Sequence, residues 1–122
     1  MDDSGFHIRL SKEKRQGALR EFSAGAYSNT ADLALKAVEQ AIEAVAAKRD
    51  LHFHVHPRTA HVERRNWVGE NLPHALDFLR VLWDAYGRLG YGGLNGDRAK
   101  KAVEAMEGAL NEIGKSAGIE FV

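Results

Sequence analysis

The chain has 122 residues, and its 17 basic and 17 acidic side chains give a formal net charge of zero. This balance provides no general attraction to nucleic acid or to an anionic membrane surface. The chain has no cysteine, which excludes disulfides and cysteine-zinc sites and suits a cytoplasmic protein. No apolar run approaches the roughly 18 residues of a membrane span, and the acidic start lacks the apolar core of a signal peptide.

The first two elements are predicted from a short alternation and a cap. Phe6–Leu10 alternates apolar and polar residues, which predicts a strand-like N-terminal arm over residues 1–10. Ser11 is suited to cap a first helix that ends near residue 27. We therefore expect the helical part of the domain to begin at residue 11.

The second helix, predicted over about residues 30–49, has the clearest periodicity. One face carries apolar residues at helical spacing, namely Ala34, Val38, Ala41, Ile42 and Val45. Further alanines widen this face with small side chains, which allow neighbouring helices to approach closely. We expect this helix to lie at the centre of the domain.

Three more helices are predicted after it. A short one runs from about Thr59 to Val68, and the next begins at Asn71 with Pro73 in its first turn. That fourth helix carries two apolar stripes and is expected to end at the glycines that start with Gly90. Asn95 or Asp97 should cap a fifth helix.

The fifth helix is expected to end near Ile113 and to be closed by Gly114. The predicted fold is therefore all-α: an antiparallel up-and-down bundle of four to five helices over residues 11–114, followed by a tail at 115–122. Because the fourth helix needs apolar partners on two sides and the net charge is low, we also predict a homodimer or higher oligomer.

Several segments resemble the HEPN superfamily. The stretch Ala34–Ala46, with Tyr27 just ahead of it, is similar to the long alanine-rich central helix of that superfamily. The segment Trp83–Tyr86, the Gly90–Tyr91 turn and the helix from Asp97 resemble the last two helices of short archaeal HEPN-like proteins. The resemblance implies a helical bundle that is often dimeric. Some members are ribonucleases, and others bind nucleotides or pair with a small nucleotidyltransferase.

The ribonucleases of this superfamily use an arginine and a histidine that are separated by four to six residues. Here the pattern occurs at Arg49 with His54, or at the longer spacing with His56. In active members the motif begins the final helix, whereas Arg49 is at the end of the second. If the chain is a metal-independent ribonuclease, His54 would act as general acid–base and Arg49 would stabilise the developing charge.

A histidine cluster follows the second helix. In an extended segment, residues two apart share a face, so His52, His54 and His56 could present three imidazoles to one metal ion such as zinc. The alternative is a surface loop in which the histidines are solvated while Phe53 and Val55 pack inward. A bound cofactor is not otherwise expected.

The same region is locally basic. Its cations could bind phosphate groups of a nucleotide or RNA, with Trp67 stacking on a base. The candidate ligand-binding residues are Arg58, His61, Arg64, Arg65 and Trp67. The alternative is a solvated helix end. The sequence thus favours a binding module that self-associates and takes a partner, with ribonuclease and metal-binding protein as the other hypotheses.

Overall fold

The computed structural model describes residues 3–87 and 95–122, which contain five α-helices and no strand. The all-α prediction is therefore confirmed for this part of the chain. Two 3₁₀ turns, Phe53–Val55 and Pro73–Ala75, precede the third and fourth helices. The helices are α1 (Ser4–Ser23), α2 (Tyr27–Ala47), α3 (Ala60–Asn71), α4 (Leu76–Gly87) and α5 (Gly96–Ala117).

The centre of the core is α2. It packs along α1 and also contacts α3, α4 and α5, because its apolar residues occupy more than one face. Seven of these residues are alanines, all buried, and their small side chains allow the neighbouring helices to pack close to its backbone. Larger residues such as Val38 and Ile42 fill the space between them.

The strand-like arm predicted for residues 1–10 is wrong, because α1 already begins at Ser4. The buried positions of its first half are Ser4, His7 and Ser11, which follow helical spacing but are polar, so an apolar pattern does not reveal them. Ser11 is not a cap. It lies inside the helix, where its hydroxyl donates to the Ala37 carbonyl at 2.8 Å.

The later helix boundaries agree with the sequence in part. Thr59 immediately precedes α3, as predicted, but α3 continues to Asn71, so Asn71 ends this helix instead of capping the next. Pro73 starts the 3₁₀ turn before α4. Asn95 caps α5 by accepting a hydrogen bond from the Arg98 amide at 2.9 Å, which confirms that prediction.

The last helix is longer than predicted. It passes Gly114 and ends at Ala117, where Gly118 takes a left-handed conformation with φ of 68°. The chain then turns back, and Phe121 is buried in the core. The glycines around Gly90 that were predicted to end α4 lie outside the described residues.

The apolar stripes of α4 are largely covered within the chain. Leu79, Leu82 and Ala85 are buried, and a partly buried set packs against the same core, namely Leu76, Phe78 and Trp83. Val81 and Tyr86 are exposed. The homodimer stays a prediction, and it now rests on a smaller apolar surface than the sequence indicated. None of the helices in the described ranges is both long and apolar enough to cross a membrane.

The contact between α4 and α5 is close at Gly108. A Cβ atom at this position would lie 2.6 Å from the Phe78 ring, whereas one at Gly69 in α3 would meet nothing nearer than 3.9 Å. Alanine normally favours a helix over glycine by about 1 kcal/mol. We expect Gly69→Ala to stabilise the fold by up to that amount. Gly108→Ala should instead lower the free energy of unfolding by about 1–3 kcal/mol through overpacking.

Urea unfolding followed by circular dichroism measures both variants, and Gly69→Ala is the matched control. Equal stabilisation by the two substitutions would contradict the close approach of Phe78 to α5.

Candidate functional site

A fully buried carboxylate lies in the middle of the apolar helix α2. Glu43 has no exposed surface, and burying a charge is costly unless it is paired and hydrogen-bonded. Arg64 of α3 supplies the pairing: its Nε donates to Glu43 Oε1 at 3.0 Å, and its Nη1 donates to Glu39 Oε2 at 3.1 Å. One guanidinium thus joins two carboxylates that lie one helical turn apart on α2.

The second oxygen of Glu43 faces a histidine. His54 Nδ1 lies 3.3 Å from Glu43 Oε2, and the His54 ring packs edge-on against the His7 ring of α1, with centroids 5.0 Å apart. His7 is almost completely buried, and its Nδ1 lies 2.6 Å from Gln40 Oε1. Two imidazoles from distant parts of the chain are therefore oriented by neighbouring polar side chains of α2.

The turn after α2 brings His54 to this position. Asp50 adopts a positive φ of 60°, a conformation that aspartate tolerates better than most residues. The chain then forms the 3₁₀ turn Phe53–Val55, with Phe53 buried against Trp67. The buried Phe53 anchors the turn and leaves His54 beside α1 and α2.

The three-histidine metal site requires residues 52–56 to be extended, and they are not, because Phe53–Val55 form a 3₁₀ turn. His52, His54 and His56 consequently do not share one face. His52 is close to His54, with ring centroids 5.9 Å apart, and lies 3.3 Å from Asp50 and 3.8 Å from Asp3. His56 is exposed and lines a separate shallow depression.

The described part of the chain holds one group with metal-ligand geometry, and its composition differs from the predicted trio. Asp3, His7 and His54 each offer a ligand atom, and these atoms all lie within 4.8 Å of one another. His52 and His56 do not belong to this group. Of the predicted ligands, the structure therefore brings His54 together with Asp3, just before α1, and His7 of α1, which the sequence did not single out.

The predicted phosphate-binding residues are dispersed. Arg64 is engaged with the α2 carboxylates, and Trp67 is buried. Arg49 donates to Asn71 at 2.8 Å and lies over the Trp67 ring, 5.5 Å from its centroid. Arg49 and His54 thus have different partners, and a shared role in catalysis stays a prediction. Arg58 is exposed beside Pro57.

His61 and Arg65 instead lie near a cleft between α2, α3 and α4. The His61 ring packs edge-on against Trp83 at 4.9 Å, and the Arg65 guanidinium lies 5.7 Å from the same indole. The cleft has a volume of about 370 Å³. It is lined by Leu35, Lys36, Glu39, His61, Trp83, Tyr86 and Gly87.

The sequence contained one signal for this site that does not belong to any motif. Glu43 is an acidic residue within the otherwise apolar run Ala41–Ala47, and a charge in such a run needs a buried partner. Asp3 and His7 gave no comparable signal, because neither belongs to a motif. Trp83, which is half-buried, was not predicted as a ligand-binding residue either.

The fold and the polar side chains define an all-helical protein in which an ion-paired network connects a histidine cluster to a cleft. Comparison with protein-family models, with curated proteins and with solved structures finds no match for this chain.

The buried ion pair between Glu43 and Arg64 leads to a prediction about the free energy of unfolding. Arg64→Ala leaves Glu43 as a buried charge without its guanidinium, and we expect the free energy of unfolding to fall by about 3 kcal/mol. Arg58→Ala, a control at an exposed arginine of the same region, should change it by no more than about 0.5 kcal/mol.

A double variant, Glu43→Leu with Arg64→Leu, removes both charges and should be more stable than Arg64→Ala. Denaturant unfolding measures the free energy of unfolding of Arg64→Ala, Arg58→Ala and the double variant. Equal stability of Arg64→Ala and Arg58→Ala would show that the Glu43 carboxylate does not depend on Arg64.

Proposed function

We propose that this chain is a HEPN-like ligand-binding module, and that the cleft between α2, α3 and α4 binds a small anionic aromatic molecule of the mononucleotide class. The observation that carries the proposal is the combination of aromatic rings and cations around one concave surface. The resemblance of α2 to the central helix of the HEPN superfamily, in which some members bind nucleotides, supports it further.

The size and lining of the cleft suit such a ligand. Pockets for small molecules typically enclose about 300–1,000 Å³ and combine apolar walls with a few polar groups. This cleft, at about 370 Å³, is at the small end of that range. Trp83, Tyr86 and His61 offer ring surfaces on which a planar base can stack, and such stacking is worth about 1–3 kcal/mol per base.

The charges around the cleft favour an anion. Lys36 lines the cleft as a cation, and the hydrogen bond that it donates to Asp32 raises the pKa of its ammonium group while offsetting part of its charge. Arg65 adds a second cation over Trp83. The acidic residue of the lining, Glu39, is already paired with Arg64, so it opposes an incoming phosphate less than a solitary carboxylate would.

The same contacts favour a small ligand over a long RNA. Binding along an RNA backbone needs several cations that can reach successive phosphates. Arg64 is only slightly exposed and holds two carboxylates, and Arg49 is held by Asn71. Two of the cations that suggested an RNA-binding surface therefore already have partners within the protein.

The test is a calorimetric titration of the protein with AMP and ATP, with adenosine and pyrophosphate as the two halves of the ligand. We expect weak saturable binding of the nucleotides and weaker binding of either half. Lys36→Ala and Arg65→Ala should each lower the affinity about fivefold, since an exposed charge contact contributes about 1 kcal/mol.

Lys100→Ala is the matched control, because it removes an exposed lysine on α5 while leaving the cleft lining intact. The proposal fails if no nucleotide binds at millimolar concentration or if Lys100→Ala weakens binding as much as Lys36→Ala. Tight, salt-dependent binding of an RNA oligomer in the absence of mononucleotide binding would also reject it.

A further inference from the structure

A second site is indicated where the start of α1 meets α2 and the turn after it. Asp3 precedes α1, His7 lies in its first turns, and His54 belongs to the 3₁₀ turn that follows α2. One ligand atom from each lies within 4.8 Å of the others. His54 is about 50 positions from Asp3 and His7 in sequence and meets them only through the fold.

The hydrogen-bond state of His7 favours the binding of a cation. Its Nδ1 lies 2.6 Å from the Gln40 side-chain oxygen, an acceptor, so Nδ1 is the ring nitrogen that carries the proton. The lone pair is then on Nε2, which is buried and has no hydrogen-bond partner among the described residues. Leaving a buried polar atom unsatisfied is unfavourable, and a metal ion held with Asp3 and His54 would satisfy it.

His54 has the matching arrangement. Its Nδ1 faces the Glu43 carboxylate at 3.3 Å, and a carboxylate accepts a hydrogen bond, which leaves Nε2 as the ligand atom. Metal-binding histidines usually donate their second N–H to a carboxylate, carbonyl or amide oxygen, which fixes the ring and raises its basicity. Here α2 supplies such an acceptor to both rings, Gln40 to His7 and Glu43 to His54.

We propose that Asp3, His7 and His54 bind a divalent transition-metal cation. Two imidazole nitrogens and one carboxylate oxygen are donors that zinc and the neighbouring first-row metals accept, whereas calcium and magnesium prefer oxygen ligands throughout. Three protein ligands leave a coordination position for water or for an exogenous ligand. The site lies apart from the nucleotide cleft and shares only His54 with the predicted cluster of His52, His54 and His56.

The three groups can adjust their spacing when the metal binds. Zinc with ligands at about 2.1 Å holds them about 3.4 Å apart in a tetrahedral site, which is closer than the 4.8 Å limit of the present group. Asp3 provides the adjustment, because its side chain is 58% exposed and precedes the helix. The two histidines already have their outer partners in place.

The experiment uses the full chain without an affinity tag, stripped with a chelator and titrated with zinc chloride. We expect one equivalent of zinc per chain. His7→Gln and His54→Gln should each weaken binding at least tenfold, because each removes a ligand. Asp3→Asn should also weaken it, and this exposed position guards against a result that reflects unfolding. Circular dichroism checks that every variant remains helical.

His56→Gln and His74→Gln are the matched controls, since both remove an exposed histidine outside the proposed ligand set, and both should bind zinc as the parent does. Three outcomes would overturn the proposal: no stoichiometric binding by the parent chain, unchanged affinity in folded Asp3→Asn and His54→Gln, or loss of zinc in His56→Gln with retention in His7→Gln. The last would favour the cluster predicted from the sequence.

Discussion

The burial of the Glu43 carboxylate constrains the arrangement of the molecule around α2. A charge at this depth is tolerated because Arg64 reaches it from α3 and a histidine faces its other oxygen. The need to pair Glu43 fixes the position of α3 relative to α2, since the Arg64 guanidinium must also reach Glu39. It also fixes the turn that carries His54, and Phe53 packing on Trp67 holds that turn from the other side.

This network connects the two proposed sites. From His54 it runs through Glu43 and Arg64 to Glu39, whose carboxylate also lies 3.9 Å from His61 at the cleft. A cation bound near His54 would attract the Glu43 carboxylate. It would therefore alter how Arg64 divides its hydrogen bonds between Glu43 and Glu39. If both ligands bind, thermodynamic linkage requires that each changes the affinity for the other by the same factor.

The sequence predicted the helices whose buried faces are apolar and missed the first part of α1, where the buried positions are polar. Ala34, Val38 and Ile42 repeat at helical spacing, so α2 was predicted correctly, whereas His7 and Ser11 concealed the start of α1. At the site, His54 was identified but its neighbours were not, because contacts between residues some 50 positions apart leave no local pattern. Counting charges indicated a basic region and could not show that Arg64 was already paired inside the protein.

The alanine-rich character of α2 affects how mutational tolerance in this protein should be measured. Alanine scanning assumes that the replacement is smaller than the original, and at seven buried positions of α2 the original is already alanine. Such a scan would be silent at these seven positions and would understate the packing of the helix at the centre of the core. Substitutions to serine, valine or leucine would reveal it, because added volume has no space to occupy. Sequence drift in this chain should therefore avoid α2 and accumulate on the exposed faces of the other helices.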